Sequence, residues 1–191
     1  MTTITEQEIS SILSEWTPVP TYVAKFRDLL LTATLAQTEA ASVWYFEAQE
    51  VAEDVAEILA TSLEVGASIV SAFSPRERWA SNVAKALAFS MNKPVSGLSN
   101  NLRMAQDAMT LGFDALRGLK TNAFARAIAG DTDAVVIDVW MMRAVGMDTD
   151  SPNKSQYLAL SDAVRRVAAD HGITPRTAQA LIWIIVRGSA S

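Results

Sequence analysis

The stretch Leu116–Arg143, LRGLKTNAFARAIAGDTDAVVIDVWMMR, decides how the rest of the chain is read. A short break at Arg117-Gly118 leads into a helical run opened by Lys120, and a turn at Gly130-Asp131 ends that run. An apolar tetrapeptide, Ala134 to Ile137, then delivers one acid, Asp138, to the head of another helix. Lysine and acid stand 138 − 120 = 18 residues apart. That spacing can bring an amine and a carboxylate into one water-poor cleft.

Working outward, the 191-residue chain is half apolar, enough for one domain with a real core or for two small helical lobes sharing one. No window reaches the roughly 18 uninterrupted apolar residues of a membrane span, so no membrane association is expected. Thr2 to Glu15 is polar and acidic, unlike a secretory signal, and the expectation is a cytoplasmic protein. The absence of cysteine excludes disulfides, thiolate zinc sites and iron–sulfur clusters, and a single histidine, His171, excludes His-rich metal cages. No cofactor and no metal are expected.

The net charge of −5 argues against nucleic acid until it is divided along the chain. Residues 1–65 hold eleven acids against Lys25 and Arg27, a net of −9, while residues 66–191 hold fourteen basic residues against ten acids, a net of +4. An acidic helical segment, 1–65, is therefore expected to pack on a mildly basic core, 66–191, whose surplus permits a footprint on phosphate.

Helical periodicity dominates. Thr5 and Glu8 read as a capping box before Ile9, Ile12, Leu13 and Trp16, and Thr17-Pro18-Val19-Pro20 reads as the stop. A second helix is expected over Thr21 to Gln37. Residues 38–64 form an amphipathic helix whose Glu47, Glu50, Glu53, Asp54 and Glu57 make a wet face; carboxylate ligation of a metal is the rarer outcome of that spacing. Gly66 opens a softer segment up to Ser74-Pro75, read as the N-cap and first residue of a helix to Met91. Leu102 to Leu116 forms the next. Asp148 to Pro152 is a turn. Tyr157, Leu160, Ala163, Val164 and Val167 make a helix ending at His171-Gly172, where His171 caps carbonyls. Thr174-Pro175 starts the last, nearly all-round apolar and so central. The fold class is all-α, with roughly eight to ten helices.

A lysine at a helix opening opposes the helix dipole, at a cost of a few tenths to about 1 kcal/mol unless an anion sits nearby, and the misfit favours the free amine. Lys120 is thus a candidate nucleophile toward a carbon such as a sugar C1′. Gly118 permits backbone conformations closed to other residues, and free amides beyond it would seat a phosphate. Asp138, partly desolvated at its helix start, can cap that helix or stabilise a developing cation.

These residues resemble the core of the helix-hairpin-helix (HhH-GPD) DNA glycosylase superfamily. Leu116 to Thr121 matches the hairpin and its Lys-Thr-led helix, Val135 to Asp138 the approach to the catalytic aspartate, and Met142 to Gly146 the tail of the following helix. Gln179 to Gly188, QALIWIIVRG, is similar to the last core helix. The resemblance implies a two-lobed helical bundle whose hairpin, with Arg117, Gly118, Thr121, Asn122 and Arg126 as candidate DNA contacts, holds a backbone phosphate while a flipped base enters a pocket. It implies catalysis by Asp138, with Lys120 as nucleophile in a lyase. Trp140 stands where histidine commonly follows the aspartate by two residues, and is the candidate pocket residue. The general texture also resembles that of small proteins encoded by bacteriophages of actinobacteria.

The expected activity is therefore glycosylase-like: excision of a damaged or modified base, with or without AP-lyase chemistry. Two alternatives stand beside it. One is a DNA-binding module that keeps the fold without chemistry. The other is an acidic helical protein that engages a host protein through the face from Trp44 to Glu57. Tryptophans at Trp140 and Trp183 are more often core than stacking platforms.

Overall fold

The computed structural model describes residues 18–149 and 151–188, in which every regular element is a helix and no strand occurs. The expected capping box at Thr5 and the helix to Trp16 lie outside the described residues. The helices are α1 Val19–Leu31, α2 Leu35–Ile58, α3 Leu63–Phe73, α4 Trp79–Ser90, α5 Ser99–Leu111, α6 Leu119–Ile128, α7 Val139–Ala144, α8 Lys154–His171 and α9 Pro175–Arg187. A 3₁₀ turn, Gly112–Ala115, follows α5. Among the described residues no single helix is long and apolar enough to cross a membrane.

The chain divides into two compact units. Residues up to Ser42 together with those from Val135 onward form one, here the terminal unit, and Val43–Ala134 form the middle unit, so the division falls within α2 and just before the apolar tetrapeptide's valines.

In the terminal unit, α1 buries Val19, Tyr22, Phe26 and Leu30 on one stripe. It packs on α8, whose Leu160, Ala163, Val164 and Val167 are fully enclosed, and on α9. Arg27 pairs with Asp170 at 2.5 Å between α1 and α8. α8 is closed by a capping box between Asn153 and Gln156 and by Gly172 in the left-handed conformation, and His171 Nδ1 donates to the Val167 carbonyl at 2.9 Å, the capping role expected of it. Thr174 caps α9 as expected. That helix is more one-sided than its composition suggests: Ala178, Leu181, Ile182 and Ile184 are buried, while Trp183, Ile185 and Val186 are half-exposed.

The middle unit is organised on α3, buried without interruption from Gly66 to Phe73 and packed by α4, α5 and α6. Here the expected soft segment after Gly66 is corrected to a helix. A Cβ at Gly66 would stand 2.1 Å from the Ala52 carbonyl oxygen, so this glycine serves close contact between α3 and α2. Trp44 turns into an aromatic cluster, 5.5 Å from Trp79 and 5.9 Å from Phe124 between centroids. The carboxylate face of α2 is exposed at Glu47, Glu50, Glu53, Asp54 and Glu57. No group of three or more histidine, aspartate or glutamate side chains among the described residues converges as a metal site would require.

Other boundaries also shift. Pro18 is the N-cap of α1, with Pro20 in its first turn, where a missing amide costs nothing; the prolines start this helix instead of only stopping the one before. The run expected to reach Gln37 breaks after Leu31, because Thr34 and Gln37 cap a new helix reciprocally: Thr34 N donates to Gln37 Oε1 at 2.9 Å and Gln37 N to Thr34 Oγ1 at 3.2 Å. Ser74 closes α3 instead of opening α4, and Arg76, at φ +64°, turns the chain before α4 begins at Trp79. The helix expected to run to Leu116 ends at Leu111, where Gly112 adopts φ +52°.

Candidate functional site

The hairpin of the middle unit comprises the end of α5, the 3₁₀ turn, the loop Leu116–Gly118 and the start of α6. Its shape is held by side chains, since a loop without a ladder must find other partners for its backbone groups. Glu64, in the first turn of α3, accepts a hydrogen bond from Phe113 N at 3.1 Å. Gly112 sits at φ +52°, a strained conformation for residues with a side chain, and a Cβ there would also press on that carboxylate at 2.3 Å. From the other side Asn122 Nδ2 donates to the carbonyls of Phe113, at 2.9 Å, and Leu116, at 3.3 Å. Ser71 of α3 donates to the Thr121 carbonyl at 2.7 Å, fixing the first turn of α6.

That scaffold leaves the tip exposed: Arg117, Gly118, Leu119 and Lys120 all face solvent. Gly118 is the N-cap of α6 and offers no side chain, and Thr121 Oγ1 donates back to the Gly118 carbonyl at 3.0 Å instead of capping an amide. No acid occupies the first turn. The helix thus opens onto solvent with two cations beside it, the arrangement that favours an anion. One expectation is corrected: Gly118 sits at φ −80°, a conformation any residue adopts, so its role is absence of a side chain and not backbone freedom.

Besides Thr121, two more of the candidate DNA contacts have internal partners. Asn122 is the hairpin clamp just described. Arg126, four residues on, donates from Nε to Asn122 Oδ1 at 2.9 Å and stacks its guanidinium 4.7 Å from the Phe113 ring centroid, while remaining exposed at the helix surface.

Asp138 and Trp140 lie in the terminal unit, and Lys120 in the middle unit. The approach to Asp138 is an extended, unpaired stretch: Val135 is 2 % exposed and Ile137 1 %. Its buried backbone groups are met by one hydroxyl, for Tyr157 Oη donates to the Val135 carbonyl at 2.9 Å and accepts from Ile137 N at 3.4 Å. Burial pushes the Tyr157 hydroxyl up to about 12; the charge of Asp138 adds to this, while the bond from Ile137 and the charge of Arg165 oppose it.

Asp138 is the N-cap of α7. Its Oδ1 accepts from Trp140 N at 2.9 Å and Met141 N at 3.2 Å, and its Oδ2 accepts from the Trp183 indole, Nε1, at 3.0 Å. The short helix is held at its other end by Lys25, whose ammonium donates to the Val145 carbonyl at 2.5 Å. Trp140 is half-buried under Arg143, whose guanidinium lies 4.7 Å from its ring, and Arg187 lies 4.6 Å from Trp183. A carboxylate with three donors is fixed in direction. It retains one acceptor position on Oδ2, enough to orient a water or a developing cation.

Residues that the motif did not single out do much of this positioning: Glu64 and Ser71 for the hairpin, Tyr157 and Trp183 for the acid. None is marked by local spacing, because each reaches a partner at least 20 positions away.

A family described as a family of unknown function (DUF7178) matches residues 11–190 of the chain. No curated protein and no solved structure matches it.

Proposed function

The chain belongs to that family, which lends it no activity, and we propose that it acts on DNA in the manner of the helix-hairpin-helix glycosylases its sequence resembles. The hairpin takes the backbone phosphate, and Asp138 assists departure of a base. The observation that carries this reading is the hairpin itself: Glu64, Asn122 and Ser71 hold a loop whose exposed tip pairs Arg117 and Lys120 with an uncapped helix start. A loop so constrained loses little entropy when it meets a phosphate, and its donors require no acid to be displaced.

In a lyase, the Lys120 amine would attack C1′ as the base leaves with the glycosidic electron pair, the ring would open to a Schiff base, and elimination would break the 3′ phosphate bond. Without that attack, water takes the same place and the product is an abasic site. The Asp138 carboxylate would stabilise positive charge growing on a sugar bound beside it in either case.

Salt-dependent binding of duplex DNA tests the grip. Arg117→Ala and Lys120→Ala are each expected to weaken binding whatever the sequence and to reduce the slope against log salt by about 1. No binding even at low salt, or a slope unmoved by both variants, would refute it. Borohydride trapping on oligonucleotides with abasic, damaged and modified bases then reads the chemistry: an adduct lost in Lys120→Ala marks a lyase.

A second reading, a DNA-binding module without chemistry, is favoured by the occupation of Asp138 as a cap and as the anchor for Trp183. Binding with no product on any base would select it.

A further inference from the structure

We propose that the loop 74–78, between α3 and α4, is a second grip on the DNA backbone, with Arg76 and Arg78 as its phosphate contacts. The inference rests on the DNA-binding reading above and adds to it a site outside the hairpin.

The loop is pinned beside the helix that opens at the hairpin. Just before it, Ser71 of α3 donates to the Thr121 carbonyl at 2.7 Å. Just after it, the Trp79 ring meets that of Phe124 edge-on, 6.5 Å between centroids, and Trp44 packs on both. Thr121 and Phe124 are three residues apart on α6, about 4.5 Å of rise. The loop therefore runs beside the first two turns of α6, the turns that carry Lys120.

Its sequence, Ser-Pro-Arg-Glu-Arg, puts one acid between two arginines, and the fold separates them. The Glu77 carboxylate accepts from Lys85 Nζ and, at 2.8 Å, from Ser81 Oγ. Lys85 first, and then Ser81, hold that carboxyl below the usual range. Arg76 and Arg78 are exposed, and neither guanidinium has an ion pair or hydrogen bond among the described residues. With the intervening acid already engaged, the pair presents positive charge to solvent and suits the phosphates of a polyanion.

The backbone bears independently on Arg76. Glu77 N donates to the Ser74 carbonyl at 3.3 Å, closing a turn in which Pro75 is second and Arg76 third. Arg76 takes φ +64° there, at the position where such a turn favours glycine. The other described residues with side chains at positive φ, Ala60 and Asn92, complete the caps of α2 and α4, since Thr61 N and Lys93 N return to the Ala56 and Ala88 carbonyls. Arg76 has no such bond behind it. A side chain kept at a strained position without a capping duty points to a use for that side chain.

The test measures binding of the full chain to duplex DNA by fluorescence anisotropy across a salt series, with thermal melts alongside. Arg76→Gly is expected to leave Tm at or above the parent value, because glycine relieves the turn, while affinity falls several-fold at moderate salt. The slope of log affinity against log salt should fall by about 1. Adding Arg78→Ala should lower it by a similar amount again, and Arg76→Lys, which keeps the charge, should hold it near that of the parent. Affinity that responds to Arg117→Ala and Lys120→Ala but to neither loop variant overturns the loop grip and leaves the hairpin reading standing. The reverse result makes the loop the principal grip and removes the hairpin. A parent chain that binds no DNA at low salt overturns both.

Discussion

Trp183 Nε1 donates to Asp138 Oδ2 at 3.0 Å, tying the last described helix to the N-cap residue of α7, 45 positions earlier. The bond gives one carboxylate two structural duties at once, since its other oxygen caps α7. It also fixes the direction in which Asp138 presents its remaining acceptor position, and stability and chemistry can be separated by choosing which partner to remove.

Trp183→Phe keeps the ring and deletes the donor. A hydrogen bond to a charged group contributes about 1.5–3 kcal/mol, and urea denaturation should show a loss of that order with an unchanged m-value. Asp138→Asn keeps the cap, because asparagine is as good an N-cap as aspartate, but its Nδ2 cannot accept from the Trp183 indole. Its stability is expected to fall by about as much as in Trp183→Phe, roughly 1.5–3 kcal/mol, while any base release disappears in Asp138→Asn alone. Retained release in Asp138→Asn would remove this residue from the chemistry.

Asn122→Ala removes the clamp on the Phe113 and Leu116 carbonyls and the acceptor for Arg126. The expected cost is about 1–3 kcal/mol, with faster hydrogen exchange across Gly112–Thr121. DNA affinity should fall as far as in Arg117→Ala although the net charge is unchanged. A variant that loses stability but binds DNA as before would show the hairpin shape to be irrelevant to binding.

What could be read beforehand follows from distance along the chain. The helices of the terminal unit were legible because each carries its own signals: the Tyr157 to Val167 stripe, His171-Gly172 as a stop, Thr174-Pro175 as a start. Asp138 at a helix head was legible for the same reason. Boundaries went astray where one signal has two meanings, as at Pro18 and Pro20, which can end one helix or begin another, and at Ser74, a good N-cap that here closes α3. Gly66 misled in the opposite way, its small size serving contact with Ala52 and not flexibility. The site partners Glu64, Ser71, Tyr157 and Trp183 carry no local mark at all, since their meaning appears only when α3, α8 and α9 are placed.

Gly66→Ala tests that close contact directly. The added methyl would be driven to 2.1 Å from the backbone oxygen of Ala52, and backbone cannot yield as a flexible side chain does. Overpacking typically costs about 1–3 kcal/mol and occasionally more; here the upper end or failure to fold is expected. Gly172→Ala serves as the contrast: nothing stands within 4 Å of its Cβ position, so only the strain of φ +65° remains, roughly 1 kcal/mol. Thermal melts of the two should differ widely.

Tyr157 sets the alkaline limit. Its hydroxyl titrates near 10.0 in the unfolded chain and at about 12 when folded, so the folded state favours the protonated form. The contribution is complete below pH 10 and is lost as pH rises through 10 toward 12, about 2–3 kcal/mol in all. The loss should appear as a steep fall in stability above pH 10, together with ultraviolet evidence of phenolate formation coupled to unfolding. Tyr157→Phe should flatten that fall while lowering stability at neutral pH by about 1–3 kcal/mol, because the Val135 carbonyl and the Ile137 amide lose their partner in the buried approach to Asp138. A parent protein equally stable at pH 9 and pH 12 would contradict the assignment of this hydroxyl as the buried support of the extended segment.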